Sequence, residues 1–229
     1  MRYYACIAMD VIKSRTLDVK EVEATLLTYS EKLNYQFKDS LLIPFEVRKG
    51  DELIGVIKEF NQSMPIIKAI EKMVENDNIL SFYIGCGFGR IETSNKSNMD
   101  VANGSAIANA LKARDHFAKG NKVEARVWRM SSNHTFFYSD EVPYQSLNSQ
   151  YFIMRSYTDK RSKKQKQIIQ AIEENPTKTY EEIGEKFGYK SPKTSVSNHL
   201  KASHYEITNQ IEQSLLELLK YYQEQLESK

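Results

Sequence analysis

Arg48-Lys49-Gly50-Asp51-Glu52 lies between two apolar runs, Leu41-Leu42-Ile43-Pro44-Phe45-Glu46-Val47 and Leu53-Ile54-Gly55-Val56-Ile57. Two strand-forming runs joined by a short polar stretch with a glycine predict a β-hairpin. Gly50 supplies the backbone angles that a tight tip requires. The turn carries Asp51 to the edge of the sheet, with Glu52 beside it. A second carboxylate, Asp10, ends the strand-like run Tyr3-Tyr4-Ala5-Cys6-Ile7-Ala8-Met9-Asp10. If those strands are neighbours, Asp10 and Asp51 face one cation, and two carboxylates with a polyphosphate are a usual way of holding Mg²⁺. Asp-Glu after Gly is also ordinary turn chemistry, and an Asp at a strand end is a common cap, so both readings stand at this point.

Bulk composition excludes more than it selects. Lys and Arg number 32 against 30 Asp and Glu in 229 residues, so the net charge of +2 announces no polyanion partner. The length suits one large domain or two smaller ones. Cys6 and Cys86 fall in apolar runs and read as small buried hydrophobes of a reducing compartment, not as a disulfide framework. No apolar run approaches the ~18 residues of a membrane span, and the N-terminus enters a strand without a signal sequence. The expectation is a soluble, cytoplasmic protein with no membrane partner. His116, His134, His199 and His204 are too scattered to nominate a metal cluster.

Outward from the hairpin, Val19, Val22, Leu26, Leu33 and Phe37 recur at helical spacing, as do Ile66, Ile67, Ile70, Met73 and Val74 in a second helix over 62–76. Residues 80–91 form an aromatic and β-branched strand. The order is β-α-β-β-α-β, which predicts an antiparallel ferredoxin-like sheet with both helices on one face. Gly85, Gly87 and Gly89 alternate along the last strand and leave one face bare, for a ligand, for another backbone, for a bulge or for a tightly packed helix. Ser105 to Ala118 reads as a helix that Ser105 can cap and Gly120-Asn121 ends. Val123 to Met130 and Thr135 to Tyr138 read as two further strands with a turn at 131–134, and 143–157 carries no clear signal.

Composition shifts near Tyr157, where a basic run over 159–166 leads into a helix stopped by Asn175-Pro176. Thr179 with Glu182 forms a capping box, and Gly188 a helix stop. Ile183, Phe187, Val196 and Leu200 make a small core, with Gly184 where two helices touch, the pattern of a helix-turn-helix. Lys186, Lys190, Lys193 and Lys201 occur in a stretch from Lys186 to Tyr205 without one acidic residue, the footprint of phosphate binding. Lys190, Lys193, Thr194, Ser195, Ser197, Asn198 and Lys201 are the candidate DNA contacts. Ile207, Ile211, Leu215, Leu218 and Tyr222 then recur at spacings of three and four, a heptad seam for a homodimer or a face that packs on its own domain.

Taken together, Asp-Val-Ile-Lys-Ser-Arg at 10–15, Lys-Gly-Asp-Glu at 49–52, Ile-Gly-Cys-Gly-Phe-Gly-Arg-Ile-Glu-Thr at 84–93, the helix start from Gly104 to Arg114 and Val-Ser-Asn-His-Leu-Lys at 196–201 resemble the SatD family of small bacterial proteins. The N-terminal part also resembles the palm of nucleotidyl cyclases and polymerases. That resemblance implies an α+β protein: a ferredoxin-like, palm/cyclase-like domain over 1–157, followed by an all-α helix-turn-helix domain over 158–229 with a long C-terminal helix. It implies Asp10 and Asp51 as ligands of Mg²⁺ or Mn²⁺. It implies a phosphate cradle from Val11, Ile12, Lys13, Ser14 and Arg15, with Lys49 and Gly50 at the hairpin, and Arg114 as the residue that meets transition-state charge. Val47 stands where cyclases place a base-selecting lysine, and Asn109 and Arg114 are one residue farther apart than the cyclase pair.

The leading expectation is a DNA-binding regulator, transcriptional in type, whose palm-like domain binds a nucleotide with Mg²⁺ and whose effector shifts the recognition helices of a dimer. The alternative is a metal-dependent nucleotidyl cyclase-like enzyme that makes a cyclic or oligomeric nucleotide through Asp10 and Asp51. A third reading keeps the palm as scaffold only.

Overall fold

The computed structural model of the protein describes all residues except 78, 93–98, 100, 121 and 128–133. Thr93, Asn121 and the expected turn at 131–133 therefore lie outside the described residues. The chain divides into two compact units, Met1–Ser149 with Leu216–Lys229, and Gln150–Leu215.

The first unit is built on a five-stranded sheet in the order β2-β3-β1-β4-β5. β1 (Tyr4–Val11) is buried along its whole length because it is central and covered on both faces. It pairs antiparallel with β3 (Glu52–Ile57) and with β4 (Phe82–Gly89), and the register sets Asp10 opposite Glu52 on one side and Tyr83 on the other. β2 (Leu41–Arg48) is the edge strand of the expected hairpin; its register shifts between Ile43 and Glu46, around Pro44, which has no N–H to give the ladder. Lys49 and Gly50 both take positive φ at the tip, 54° and 82°. β5 (His134–Tyr138) pairs with β4 in parallel, so the sheet is mixed and not wholly antiparallel.

Side chains alternate across the strands, and the two faces receive different helices. α1 (Val19–Gln36) starts on Asp18, whose carboxylate accepts from Glu21 N at 3.0 Å, and buries Val22, Leu26, Tyr29 and Leu33. α2 (Ser63–Asp77) buries Met64, Ile66, Ile67, Ile70 and Val74. Tyr29 ties the pair by donating to Asp77 at 2.8 Å and meets Phe82 of β4 at 6.0 Å between ring centres. Asn34 locks α1 to β2 through two bonds with Phe45 backbone, 2.7 and 2.9 Å. The opposite face carries Tyr4, Cys6, Ala8, Ile54 and Val56, and α3 (Ser105–Lys112) closes it with Ala106, Ile107 and Ala110. α1 and α2 thus share one face of the sheet, and α3 covers the other.

The glycine stripe explains how close α3 comes. A Cβ on Gly85, Gly87 or Gly89 would lie 2.1 Å from Ala110 O, 2.0 Å from Ala110 N or 2.4 Å from Ser105 Oγ. Of the readings open at the sequence, the closely approaching helix is the one realised. Ser105 does not cap α3; its hydroxyl accepts from Arg90 N at 2.8 Å. The helix continues as a π-helical stretch, Ala113–Ala118. Val123–Val127 forms α4, a helix where a strand is expected, and Met130 lies outside the described residues. α5 (Tyr144–Thr158) fills the segment without a clear signal.

The second unit contains α6 (Lys163–Glu174), α7 (Tyr180–Lys186) and α8 (Pro192–Ala202). Capping boxes at Ser162/Gln165 and Thr179/Glu182 fix two of the starts. Ile168, Ile169, Ile183, Val196 and Leu200 form its core. Gly184 has no Cβ because one would sit 2.6 Å from Pro192. The last helix, α9 (Tyr205–Glu227), buries Leu215, Leu219, Gln223 and Leu226, while Ile207 of the expected seam is exposed. Gln223 donates to Tyr3 O and Lys58 O at 3.0 and 3.1 Å and accepts from Phe60 N at 2.7 Å. Those bonds place residues 216–229 with the first unit, whereas the expected division keeps 158–229 together. Cys6 and Cys86 are free and buried; burial pushes the Cys86 thiol up to about 12. Among the described residues no helix is long and apolar enough to cross a membrane.

Candidate functional site

The site forms at the end of β1 where the hairpin turn folds against it. Val11 N donates to Asp51 O at 3.1 Å, which pins the turn to the strand. Ser14 Oγ donates to Asp51 Oδ2 at 2.8 Å. Lys13, between the strand and the short turn Ser14–Thr16, takes a left-handed conformation with φ 58°. Asp10 and Glu52 are cross-strand neighbours on the face that α3 covers, and both are buried. Burial raises the Asp10 pKa, and the nearby Asp51 carboxylate pushes it the same way, against Lys119 and Arg114.

The cations come from the helix above. Lys119 Nζ lies 2.7 Å from Asp10 Oδ2 and 3.8 Å from Asp115 Oδ1. Arg114 is 4% exposed; Nε and Nη2 donate to the two Asp115 oxygens at 2.8 and 2.9 Å, and Nη2 also to Glu52 Oε1 at 3.2 Å. Lys49 approaches the same Glu52 oxygen at 3.3 Å. Gly85 makes this possible, since a side chain there would meet Arg114 N at 2.5 Å. Lys119 N donates to Arg114 O at 2.8 Å, the wider bond of a π-helix, which sets residues 114 and 119 on one face. Burial opposes ionisation of Asp115, but the Arg114 guanidinium and Lys119 outweigh it and hold its pKa below the usual range.

The structure brings together Asp10, Asp51, Ser14, Lys13 and Lys49, and adds three residues that the sequence reading did not assign: Glu52, Asp115 and Lys119. The signals were thin. Glu52 is one place from Asp51, and Lys119 follows Arg114 by five, a spacing that means one face only in a π-helix. Two expectations narrow. The N–H groups of Val11 and Ile12 are taken by Asp51 O and Ser81 O, so a backbone cradle is left to Lys13, Ser14 and Arg15. The Arg114 guanidinium, expected to meet transition-state charge, is committed to Asp115 and Glu52. Asn109 is buried and donates to Phe88 O at 2.8 Å.

Among the described residues no group of three or more His, Cys, Asp or Glu side chains is arranged to hold a metal ion. Two carboxylates at one pole fit a hard cation that draws its remaining ligands from phosphate and water. The Lys119 ammonium occupies the Asp10 carboxylate at that pole.

In the second unit Lys190, Lys193, Thr194, Asn198 and Lys201 are exposed, and Ser195 and Ser197 half-buried. Lys164 stands over the rings of Phe187 and Tyr189 at 4.4 and 5.3 Å, and Tyr189 and His199 share a hydrogen bond of 3.0 Å.

Fold and site define a mixed α+β protein with a carboxylate–lysine pole at the end of its central strand. The SatD family model matches residues 3–219, and the chain belongs to that family. No curated protein matches the chain. Among solved structures it is similar to the guanylyl cyclase Cya2, at 13% identity and a TM-score of 0.31 over 50% of this chain and 70% of that one. It is also similar to the guanylyl cyclase domain of the RhoGC fusion protein of Blastocladiella emersonii, at 12% identity and a TM-score of 0.33 over 51% of this chain and 75% of that one.

Proposed function

We propose that the first unit is a ferredoxin-like, palm-type, nucleotidyl cyclase-like domain that binds a nucleoside polyphosphate with Mg²⁺ or Mn²⁺ at Asp10 and Asp51. The observation that carries the reading is the convergence of Asp10 and Asp51 at one pole, with a cationic side chain already drawn onto Asp10 at 2.7 Å. A bound divalent ion would supply Lewis-acid polarisation of a phosphoryl oxygen. The chain's own residues do the rest. Ser14 orients the Asp51 carboxylate. The N–H groups of Ser14 and Arg15 open the short turn after left-handed Lys13 and suit phosphate oxygens. Arg114 positions Glu52 and Asp115, and Lys119 sits against Asp10. If the site turns over, the chemistry is attack of a ribose 3′-hydroxyl on the α-phosphorus, with pyrophosphate leaving.

Thermal shifts with each ribonucleoside triphosphate, with and without Mg²⁺ or Mn²⁺, test this, with Asp51→Asn alongside. A metal-dependent shift lost in the variant supports the site, and product analysis then separates sensor from enzyme. No shift with any triphosphate removes the site.

A second reading concerns α7 and α8 as a helix-turn-helix that binds DNA, in a protein that pairs as a dimer to read two half-sites. It is supported by the contact of Gly184 with Pro192 and by the exposed Lys190, Lys193 and Lys201 in an acid-free stretch. Lys193→Ala should weaken binding to every DNA sequence and lower the salt slope by about one. Equal slopes in both proteins would exclude this face.

A further inference from the structure

We infer that Lys119 is a phosphate-handling residue that makes the site take up a divalent cation and a polyphosphate together in preference to either alone. The inference rests on the reading of Asp10 and Asp51 as the metal-holding pair. Lys119 directly follows the π-helical stretch, and its backbone is fixed by the bond to Arg114 O. Its side chain is 36% exposed and open to solvent on one side, whereas the Asp10 side chain it touches is 9% exposed.

The charges around it leave little choice of partner. Asp10, Asp51, Glu52 and Asp115 are the carboxylates. Arg114 is buried on Glu52 and Asp115, and Lys49 leans on Glu52, which leaves Lys119 as the described cation on Asp10. A divalent ion that takes the same oxygen repels the ammonium at contact distance. The displaced ammonium has Asp115 at 3.8 Å to fall back on, but that carboxylate already accepts two bonds from Arg114. A polyphosphate arriving with the metal offers anionic oxygens and stronger charge-assisted bonds. Metal binding expels the lysine and phosphate binding receives it, so each favours the other by the same factor. The substrate class narrows to metal-complexed polyphosphates; a nucleoside has nothing for the released ammonium.

Thermal-shift titrations with Mn²⁺ alone, inorganic tripolyphosphate alone and the Mn²⁺–tripolyphosphate complex give three apparent affinities, each referred to the same protein without ligand. In Lys119→Met, Mn²⁺ alone should bind about tenfold more tightly than in the wild type, and the advantage of the complex over the bare ion should fall by about tenfold, within the usual range of coupling between sites. Lys119→Arg, which keeps the charge, should retain the wild-type advantage. A Lys119→Met protein with wild-type affinity for Mn²⁺ and an unchanged advantage for the complex overturns the role of the lysine. If that result comes with binding still lost in Asp51→Asn, the metal site itself survives. No response of the wild type to any of the three ligands overturns both.

Discussion

Gly87→Ala should unseat α3 from the sheet. The new Cβ would stand 2.0 Å from Ala110 N, 2.5 Å from Asn109 C and 2.6 Å from Ala106 O, all backbone atoms that no rotamer change can move. Ordinary contact begins at 3.4 Å, so the helix must retreat by about 1.4 Å. A gap of that size forfeits much of the dispersion contact that Ala106, Ile107 and Ala110 make with Tyr4, Cys6, Ala8 and Val56. The expected loss is about 3 kcal/mol, the upper part of the range for overpacked cores. Gly55→Ala is the control: its Cβ meets the Phe45 ring at 2.8 Å, and a ring can tilt, so about 1 kcal/mol is expected there. Urea unfolding of both variants against wild type gives the numbers, read as a shift of midpoint at constant slope. Because α3 runs on to Arg114 and Lys119, Gly87→Ala should also weaken Mn²⁺–triphosphate binding. A loss under about 0.5 kcal/mol, the level of an ordinary surface substitution, would refute the close seating of α3.

Three further outcomes follow from the same geometry. Arg114→Met should cost about 3 kcal/mol by urea unfolding, because Glu52 and Asp115 lose their buried partner; a neutral result would mean that the guanidinium is not holding them. The Asp10 and Asp115 carboxyls should respond to pH with opposite signs. Asp10 is raised above 3.8, so the folded state holds its proton more tightly and its contribution falls as pH rises through that window; Asp115 is lowered, so its contribution is present above 3.8 and lost as pH falls below it. Stability measured against pH should therefore rise for Asp10→Asn relative to wild type as pH climbs above 3.8, and equal pH slopes in the two proteins would contradict the burial of Asp10. Gly184→Ala should lower the melting of the second unit by about 2 kcal/mol of stability, since its Cβ would lie 2.6 Å from Pro192; an unchanged melt would deny the contact between α7 and α8.

Much of the fold was legible because it follows from local pattern. The hairpin around Gly50, the apolar spacing of α1 and α2, the aromatic strand β4 and the capping boxes of α6 and α7 each carry their own signal. α4 reads as a strand in sequence because its two valines are strand formers and only tertiary context decides between the two states for so short a segment. α5 was invisible because Asn148, whose buried amide bonds Phe137 backbone at both ends, looks like a loop residue in sequence. The glycine stripe announced a close approach without saying whose. The site was half legible: strand-end and turn positions point to Asp10 and Asp51, but Lys119 reaches Asp10 through a π-helical stretch that leaves no periodic trace in sequence.

A crystal structure with Mn²⁺ and a non-hydrolysable ribonucleoside triphosphate tests the central claim most directly. The account predicts an anomalous peak for manganese between the Asp10 and Asp51 carboxylates, phosphate oxygens at the turn Lys13-Ser14-Arg15, and Lys119 moved from Asp10 onto phosphate. Manganese absent from that pole, with Lys119 still on Asp10 while the nucleotide binds elsewhere, would contradict it.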